Sequence, residues 1–337
     1  MTSDGTVQHD GGSLGGLFGG GLMPESVLSF RPDHQSEQID WQALTPAAAW
    51  LTALLKPRRF VELGTYAGDS YCAFCQAMRE QGVSCEAFAV DLWEGDEHTG
   101  AYGPEVLARL RDYHDPRYGH FSRLMRMRFD DARETFEDGS VDLLHIDGLH
   151  TYEAASHDFR SWLPKMSPRG VVILHDTTPR ERGFGVYRLW DEIEREYACF
   201  NLPHSNGLGV VVLDPDAAPD GIARVARMDE AARRPLLLVL KSLGDLVIAH
   251  AKERFRAGEL ERLKGRYREL EWAVEDLRRG HRSELSELLH LICAEFPGLS
   301  ERLASIEDRL RRVEETAAGD AAETASDAAN VEQTGGG

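Results

Sequence analysis

The chain has 337 residues, of which 38 are Lys or Arg and 57 are Asp or Glu, and 42% are hydrophobic. A chain of this length and composition can bury one substantial core and still carry appendages. The formal net charge of −19 argues against nucleic acid or an anionic membrane surface as the main partner, because either would repel this surface at long range.

The cysteines and the apolar segments indicate the cellular compartment in which the protein is expected. Five cysteines, an odd number in a long chain, do not form a disulfide scaffold. No basic segment followed by an apolar segment opens the sequence. The most apolar run, residues 236–250, is interrupted by Lys241 and Asp245 and is too short to span a bilayer. We therefore expect a cytoplasmic protein without a membrane span.

Both ends of the chain are poor in hydrophobic periodicity. We expect residues 1–38 to form a flexible, glycine-rich leader, because ordering it would cost entropy without apolar burial in return. From Glu314 onward, acidic residues stand among Ala, Thr and Gly with no Lys or Arg. Residues 314–337 are therefore predicted to be a disordered acidic tail.

Residues 39–214 alternate short apolar runs with helical spacing. A first helix is predicted around residues 41–56, where Pro57 ends it. Strands are predicted at 60–63, 87–91, 122–128, 141–147, 170–175 and 209–213, and helices near 69–81, 104–113, 151–163 and 184–197. Several strands are continuously apolar, which is typical of a parallel sheet covered by helices on both faces. The fold class is therefore α/β, with a doubly wound, mostly parallel sheet.

Residues 215–313 read as a helical region with coiled-coil segments. Two runs of apolar residues repeat with a spacing of three and four: Leu260, Leu263, Tyr267, Leu270, Val274 and Leu277, then Leu303, Ile306, Leu310 and Val313. Two interpretations stay open. The helices form a homo-oligomer through a coiled coil, or they fold back as a pair on the preceding domain.

The most informative segment is Phe60-Val-Glu-Leu-Gly-Thr-Tyr-Ala-Gly-Asp-Ser70, in which an apolar strand leads through Gly64 and Gly68 into a helix. Glycine at the end of a strand lets the backbone turn sharply and approach a ligand. The spacing lacks the third glycine of a dinucleotide site, which disfavours a pyrophosphate ligand. S-adenosylmethionine has no phosphate and does not need that glycine, although a plain strand-to-helix turn would look the same.

Asp91 ends the next predicted strand, where a carboxylate can accept hydrogen bonds from both ribose hydroxyls of a nucleoside. The structural alternative is a helix cap or a loop acid. Asp130 and Asp131 follow the third strand and either approach the adenine amino group or cap a helix. His157 and Asp158 are expected to anchor the helix on which they lie.

A third group of polar residues follows the fourth and fifth strands, which end at Asp147 and at His175 and Asp176. These oxygen and nitrogen donors suit a divalent ion that binds a substrate hydroxyl and lowers its pKa. His150 has an ordinary pKa suited to removing that proton. Alternatively, the acids cap the following helices and His175 packs beneath the loop.

Four segments together carry a family resemblance: residues 61–70, residues 89–98, Asp142-Leu-Leu-His-Ile-Asp-Gly-Leu-His-Thr-Tyr152 and Val171-Val-Ile-Leu-His-Asp176. In this order they resemble the class I S-adenosylmethionine-dependent methyltransferases. Within that superfamily they are most similar to the branch of macrocin-type sugar O-methyltransferases, cephalosporin-hydroxylase-like proteins and catechol O-methyltransferases. The resemblance covers roughly residues 40–214.

The resemblance implies a seven-stranded sheet with one antiparallel edge strand. It implies cofactor contacts from Glu62, Gly64, Tyr66, Gly68, Ser70 and Asp91. It also implies a divalent ion at Asp147 and Asp176. Related enzymes place a second carboxylate where this chain has His175, and the imidazole favours manganese or a softer ion over magnesium.

The polar loop at residues 93–103 lies between the second strand and its helix. This loop can close over the acceptor, with Trp93 or Tyr102 stacking and His98 or Asp96 binding hydroxyls, although solvated loop residues would look the same.

The sequence therefore predicts an S-adenosylmethionine-dependent O-methyltransferase acting on a hydroxyl of a sugar, a polysaccharide or a glycosylated natural product. The acceptor class follows from the resemblance alone. The predicted site comprises catalytic His150 and Asp147; cofactor-binding Glu62, Gly64, Tyr66, Gly68, Ser70, Asp91 and Asp130; and metal-binding Asp147, His175 and Asp176. The rival hypotheses are a non-catalytic oligomeric scaffold and an NAD-dependent oxidoreductase.

Overall fold

The protein is represented by a computed structural model that describes residues 21–36 and 40–280. The chain divides into two compact units, Met1–Arg256 and Ala257–Gly337. The first unit holds the sheet and its helices. The glycine-rich residues 1–20, the second apolar heptad run at 303–313 and the acidic tail at 314–337 lie outside the described residues.

A seven-stranded sheet forms the centre of the first unit. Its strands lie side by side in the order β5-β2-β1-β6-β7-β9-β8, and all neighbours are parallel except those that pair with β9. Strands β3 and β4 form a separate two-stranded hairpin. The strands are β1 Arg59–Leu63, β2 Glu86–Asp91, β3 Gly95–Asp96, β4 Gly100–Ala101, β5 Ser122–Arg126, β6 Val141–Ile146, β7 Met166–His175, β8 Ala198–Leu202 and β9 Leu208–Val212.

The predicted doubly wound, mostly parallel sheet is confirmed. One detail of the expectation is wrong, because the antiparallel strand is not at the edge. Strand β9 lies between β7 and β8, and β8 forms the edge. Val210, Val211 and Val212 of β9 are wholly buried, so this strand needs neighbours on both sides.

Helices cover both faces of the sheet and create two apolar cores. Phe60 of β1 faces the core that contains Trp50 and Phe74, while the next residue, Val61, faces the core that contains Phe159 and Trp162. This alternation explains why β1 is apolar throughout. The helices are α1 Glu25–Leu28, α2 Thr45–Leu55, α3 Asp69–Glu80, α4 Glu105–Tyr118, α5 Phe129–Arg133, α6 Tyr152–Trp162, α7 Val186–Glu196, α8 Asp220–Arg227 and α9 Glu230–Gly280.

The expectation of a flexible leader as far as residue 38 is wrong for residues 21–36. Met23, Val27 and Phe30 are buried in the core beside α2. The carbonyl of Leu22 accepts a hydrogen bond of 2.8 Å from the Trp50 indole N–H. Burial of these apolar side chains offsets the conformational entropy that the segment loses on ordering. A glycine-rich run has no such side chains to bury.

Within the residues that the structure describes, the chain beyond the sheet forms helices α8 and α9, which end at Gly280. Leu236, Leu240 and Val247 in the first part of α9 are buried within the first unit. Leu263 and Tyr267 of the predicted seam lie in the second unit and are 51% and 36% exposed. The coiled-coil dimer stays a prediction. None of the helices between residues 21 and 280 combines the length and the apolar character that crossing a bilayer requires.

Candidate active site

A cavity of about 820 Å³ opens where β1, β2, β6 and β7 end. A volume of this size suits a small-molecule ligand. Ten of the eleven predicted site residues line it: Gly64, Tyr66, Gly68, Ser70, Asp91, Asp130, Asp147, His150, His175 and Asp176. Glu62 does not. The strand ends therefore bring the predicted cofactor residues and the predicted catalytic residues to one cavity.

The turn between β1 and α3 depends on glycine at two points. Gly64 has φ +86°, and a Cβ at this position would lie 2.2 Å from the Asp147 carbonyl oxygen. Gly68 has φ +85° and precedes the first residue of α3. Only glycine allows the turn to adopt this backbone and to lie directly against the loop that carries Asp147. The two ends of the predicted site are thus held together by backbone contact.

Asp91 holds this turn through its carboxylate. One oxygen, Oδ2, accepts hydrogen bonds from the backbone N–H groups of Thr65 and Tyr66 at 2.8 and 2.9 Å. The other, Oδ1, accepts from the N–H of Trp93 at 2.6 Å. A carboxylate offers about four acceptor positions, so about one remains for a ligand. Of the two ribose hydroxyls expected to bind Asp91, the carboxylate has room for about one.

Glu62 lies beneath the turn and is wholly buried. Its Oε2 accepts a hydrogen bond of 2.7 Å from Nδ1 of His145, which is also wholly buried on β6. Burial raises the pKa of Glu62, and His145 opposes that rise. Glu62 therefore pairs with His145 beneath the turn and does not face the cavity. In the sequence, the feature that indicates this buried pair is His145, an ionisable residue within the apolar run of β6.

Four side chains at the ends of β6 and β7 form one cluster, the Asp147–His150–His175–Asp176 cluster, and one donor atom from each lies within 4.8 Å of the others. His150 Nε2 is 3.3 Å from Asp147 Oδ1 and 2.9 Å from Asp176 Oδ2. His175 Nδ1 is 3.1 Å from Asp147 Oδ1 and 3.7 Å from Asp176 Oδ2. Each imidazole therefore faces both carboxylates.

The opposite charges in this cluster change its titration. Burial lowers the pKa of His150 and His175, but the two carboxylates outweigh it and raise the values to about 10 and about 9. Burial would raise the pKa of Asp147, yet the histidines hold it well below its usual range. Asp176 has φ +58°, a backbone conformation that aspartate rarely adopts. The fold thus holds this residue in a strained conformation within the cluster.

The cluster fits a divalent ion through the chemistry of its donors. His175 Nε2 lies 3.1 Å from the Ser205 carbonyl oxygen, which only accepts hydrogen bonds, so Nε2 carries the proton. With its pKa raised to about 9, the ring also carries a proton at Nδ1 near neutral pH, directed at the carboxylate oxygens. A divalent ion bound there would take the place of that proton between Nδ1 and the carboxylates. Two imidazoles and two carboxylates suit borderline ions such as manganese better than magnesium.

An aromatic stack covers one side of His150. The ring of Phe184 lies 4.9 Å from the His150 ring and nearly parallel to it, and 4.5 Å from the His98 ring with 29° between the planes. His98 comes from the loop between β3 and β4, and its Nε2 is 3.0 Å from the Arg182 carbonyl oxygen. Two loops therefore meet above the cluster. Phe184 escaped the sequence analysis because it lies in a loop that carries no motif.

The loop after β2 differs from the expectation at Trp93. This side chain is 1% exposed, and its indole N–H donates to the Tyr66 carbonyl oxygen at 2.9 Å. Trp93 has φ +54°, and it packs in the core rather than against an acceptor. Tyr102, His98 and Asp96 of the same loop do line the cavity.

Two acids lie near the end of the cavity next to β5. Asp130 Oδ1 accepts from Arg133 at 3.0 Å, and His157 Nε2 is 3.0 Å from the same oxygen. Asp158 also lines the cavity, is 7% exposed and has no hydrogen-bond partner for its carboxyl within residues 21–36 and 40–280. The expectation that Asp158 anchors its helix therefore has no contact to support it.

A family model described as a methyltransferase domain matches residues 61–177. An uncharacterized protein of Sinorhizobium fredii, y4gI, is 46% identical over 205 residues. That match covers 61% of this chain and 22% of the relative, so the chain spans about a fifth of the relative's length.

Solved structures include similar chains at low sequence identity. A putative caffeoyl-CoA O-methyltransferase from Staphylococcus aureus has a TM-score of 0.40 and 14% identity, covering 61% of this chain and 94% of its own. The O-methyltransferase TomG from Streptomyces achromogenes, in complex with SAM, has a TM-score of 0.38 and 14% identity. That second similarity covers 54% of this chain and 91% of TomG.

Proposed function

We propose that this chain, which carries a class I methyltransferase domain, transfers the methyl group of S-adenosylmethionine to a hydroxyl oxygen of a carbohydrate acceptor. One observation carries the proposal. The glycine turn, Asp91 and the Asp147–His150–His175–Asp176 cluster line a single cavity at the ends of parallel strands. A donor held by the first two has its reactive end near the cluster, where an acceptor hydroxyl can be placed for in-line attack.

The cofactor lies across the turn between β1 and α3. Asp91 contributes about one acceptor position for a ribose hydroxyl, and Gly64 and Gly68 leave room for the ligand against the backbone. Tyr66 and Ser70 line the same part of the cavity. Holding donor and acceptor together supplies about 7 kcal/mol or more of the lowering of the barrier.

His150 is the proposed general base. Its Nε2 faces Asp147 and Asp176, while its Nδ1 has no hydrogen-bond partner among the residues described. The raised pKa of about 10 confines the neutral His150 ring to alkaline pH; in that form Nε2–H donates to the carboxylates and Nδ1 takes the proton of the acceptor hydroxyl. The two carboxylates then stabilise the imidazolium that forms. Base catalysis of this kind contributes about 10²- to 10⁴-fold in rate.

Asp147, His175 and Asp176 are the residues that would hold a divalent ion. When bound there, such an ion would polarise the acceptor hydroxyl and lower its pKa. Asp147 also keeps His150 oriented over a distance of 3.3 Å. The loop residues His98 and Phe184 cover this end and exclude water from it.

A carbohydrate acceptor is favoured by the mixture of polar and aromatic side chains in the cavity lining. Asp96, Thr99 and Asn206 offer hydrogen-bonding groups there, and Trp41 and Tyr102 offer aromatic surface. Polar groups interspersed with aromatic rings suit a ligand that presents hydroxyls and apolar ring faces.

The test is methyl transfer by the purified full chain. The chain is incubated with S-adenosylmethionine and a panel of acceptors: monosaccharides, nucleotide-activated sugars, oligosaccharides and catechol. The product S-adenosylhomocysteine is measured by mass spectrometry. The proposal expects product with a carbohydrate acceptor, and about 10²- to 10⁴-fold slower formation of it with the His150→Ala variant. Product with catechol alone would show that the acceptor is a catechol and not a carbohydrate. An absence of cofactor binding would refute the proposed activity.

A further inference from the structure

The loop between β7 and α7 brings an arginine to the end of the cavity that holds the Asp147–His150–His175–Asp176 cluster. Arg182 lines the cavity, and its side chain is exposed. Within residues 21–36 and 40–280, no carboxylate oxygen lies within 4.0 Å of its guanidinium group, and no hydrogen bond joins that group to the protein. In a chain with a formal net charge of −19, a guanidinium without a counter-ion is available to an anionic ligand.

The fold fixes the position of this loop relative to His150. The backbone N–H of Gly185 donates to the His150 carbonyl oxygen at 2.7 Å. The carbonyl oxygen of Arg182 lies 3.0 Å from Nε2 of His98. Arg182 has φ +53° and the next residue, Gly183, has φ +79°. A non-glycine residue keeps such a backbone only where its surroundings hold it, so the guanidinium group extends from a defined point above the cluster.

An aromatic ring connects the guanidinium group to the proposed base. The guanidinium carbon of Arg182 lies 5.7 Å from the centre of the Phe184 ring, which is a cation–π distance. The same ring stacks on His150 with 4.9 Å between the centres and 6° between the planes. A sugar hydroxyl at His150 and an anionic group at Arg182 can therefore belong to the same acceptor.

The acid on the hairpin of β3 and β4 does not neutralise Arg182. Asp96 lines the cavity, but its Oδ1 accepts hydrogen bonds from the backbone N–H groups of His98 and Thr99, both at 2.8 Å. The Thr99 hydroxyl donates to the same oxygen at 3.0 Å. These contacts use the carboxylate to hold the hairpin, and they leave the positive charge of Arg182 for a ligand.

We propose that Arg182 binds an anionic group, a carboxylate or a phosphate, on the carbohydrate acceptor. This inference rests on the proposed function and narrows its substrate class to acidic carbohydrates. The planar guanidinium group donates two parallel hydrogen bonds to either anion, which a single charge on a flexible chain cannot do. Uronic acids present the carboxylate, and sugar phosphates and nucleotide-activated sugars present the phosphate.

The experiment measures kcat/KM of the full chain for methyl transfer from S-adenosylmethionine to matched acceptors. The panel contains glucose and galactose together with their uronates, their 1-phosphates and their uridine diphosphate derivatives. We expect the wild type to use an anionic acceptor at least about tenfold more efficiently than the neutral sugar. Comparison of the uronates with the phosphates identifies which anion Arg182 binds.

The variants at Arg182 separate binding of the anion from support of the loop. Arg182→Gln should lower kcat/KM for the preferred anionic acceptor about 10- to 100-fold, mainly by raising KM, and leave the neutral sugar within about twofold. Arg182→Lys keeps the charge without the planar fork and should retain part of the preference.

Arg180→Gln is the matched control and should keep the wild-type preference. Arg180 is exposed on the same loop, but its guanidinium group lies over the Tyr187 ring at 4.6 Å and does not line the cavity. Three results would overturn the inference: a wild type without a preference for anionic acceptors, an equal loss for all acceptors in Arg182→Gln, or a loss of the preference in Arg180→Gln. A wild type that methylates neutral sugars equally well overturns the inference alone, whereas a wild type that binds no S-adenosylhomocysteine overturns the proposed function as well.

Discussion

The two ends of the cavity contain the same residue type in opposite states. Asp147 and Asp158 are both largely shielded from water. Two imidazoles lie within 3.3 Å of Asp147 Oδ1, and they hold its pKa well below the usual range. Asp158 has no partner within the described residues, and burial raises its pKa to about 7.

The contrast shows that burial alone does not decide the charge of a carboxyl group. Neighbouring charges and hydrogen bonds decide it. In one cavity, this difference leaves one acid ionised beside the proposed base and another largely protonated near neutral pH. The two ends should therefore respond independently to substitution, to metal ions and to pH.

The largest expected effect is on turnover at the cluster. His150→Ala should lower methyl transfer about 10²- to 10⁴-fold, because it removes the proposed base, while S-adenosylhomocysteine binding measured by calorimetry stays within about twofold. Asp158→Asn is the matched variant at the other end and should change turnover far less. Equal losses of turnover in the two variants would contradict the separate roles assigned to the two ends of the cavity.

A metal ion should act at the cluster and not at Asp158. With MnCl₂ at about 100 times its dissociation constant, the free energy of unfolding should rise by about 2.7 kcal/mol, and with MgCl₂ by less. Urea unfolding with each ion measures this difference.

The matched variant for the metal prediction is His175→Asp, which supplies the second carboxylate found in the related enzymes. It should shift the preference from manganese toward magnesium. Equal stabilisation of the parent protein by the two ions would contradict the role assigned to the imidazole.

The raised pKa of Asp158 predicts a smaller effect on stability. Between pH 5.5 and 8 the folded state binds more protons at Asp158 than the unfolded state does, so stability falls as the pH rises. With a folded pKa of about 7 against an ordinary 3.8, the wild type should lose about 2 kcal/mol more than Asp158→Asn over this range. His157 and Asp130 are the charged neighbours that contribute to the shift.

The measurement is urea unfolding of both proteins at the two pH values. If the free energy of unfolding changes with pH in the same way in the wild type and in Asp158→Asn, Asp158 titrates normally. That result would contradict the opposite states assigned to Asp147 and Asp158.

The smallest effect on the cavity is expected from a substitution in the long helix α9. Leu263 is 51% exposed on α9, at a seam position of the predicted coiled coil. Leu263→Lys should convert a dimer to a monomer in size-exclusion light scattering and leave cofactor affinity unchanged. A wild-type protein that is already monomeric would contradict the predicted homo-oligomer.

Much of the fold was accessible from the sequence because parallel strands buried on both faces are continuously apolar. Strand β8 was missed, since Ala198–Leu202 mixes Cys199 and Asn201 with apolar residues. The place of β9 inside the sheet was also missed, because pairing order does not follow from hydrophobic pattern.

The site was predictable where chemistry follows a strand end. Asp91, Asp147 and His175 all lie there, and the structure brings them to one cavity. Trp93 was misjudged because a loop sequence does not reveal which way a side chain turns. Asp158 was misjudged because helical spacing indicates burial, yet the absence of a partner depends on tertiary contacts.

The most direct test of the central claim is calorimetric titration of the full chain with S-adenosylhomocysteine, performed on the wild type and on Asp91→Ala. The account predicts binding at one site per chain in the wild type. It predicts no detectable heat for Asp91→Ala, which loses both the ribose contact and the carboxylate that holds the turn at Thr65 and Tyr66. Asp91→Ala protein that titrates like its parent, or a wild type that does not bind, would contradict the account.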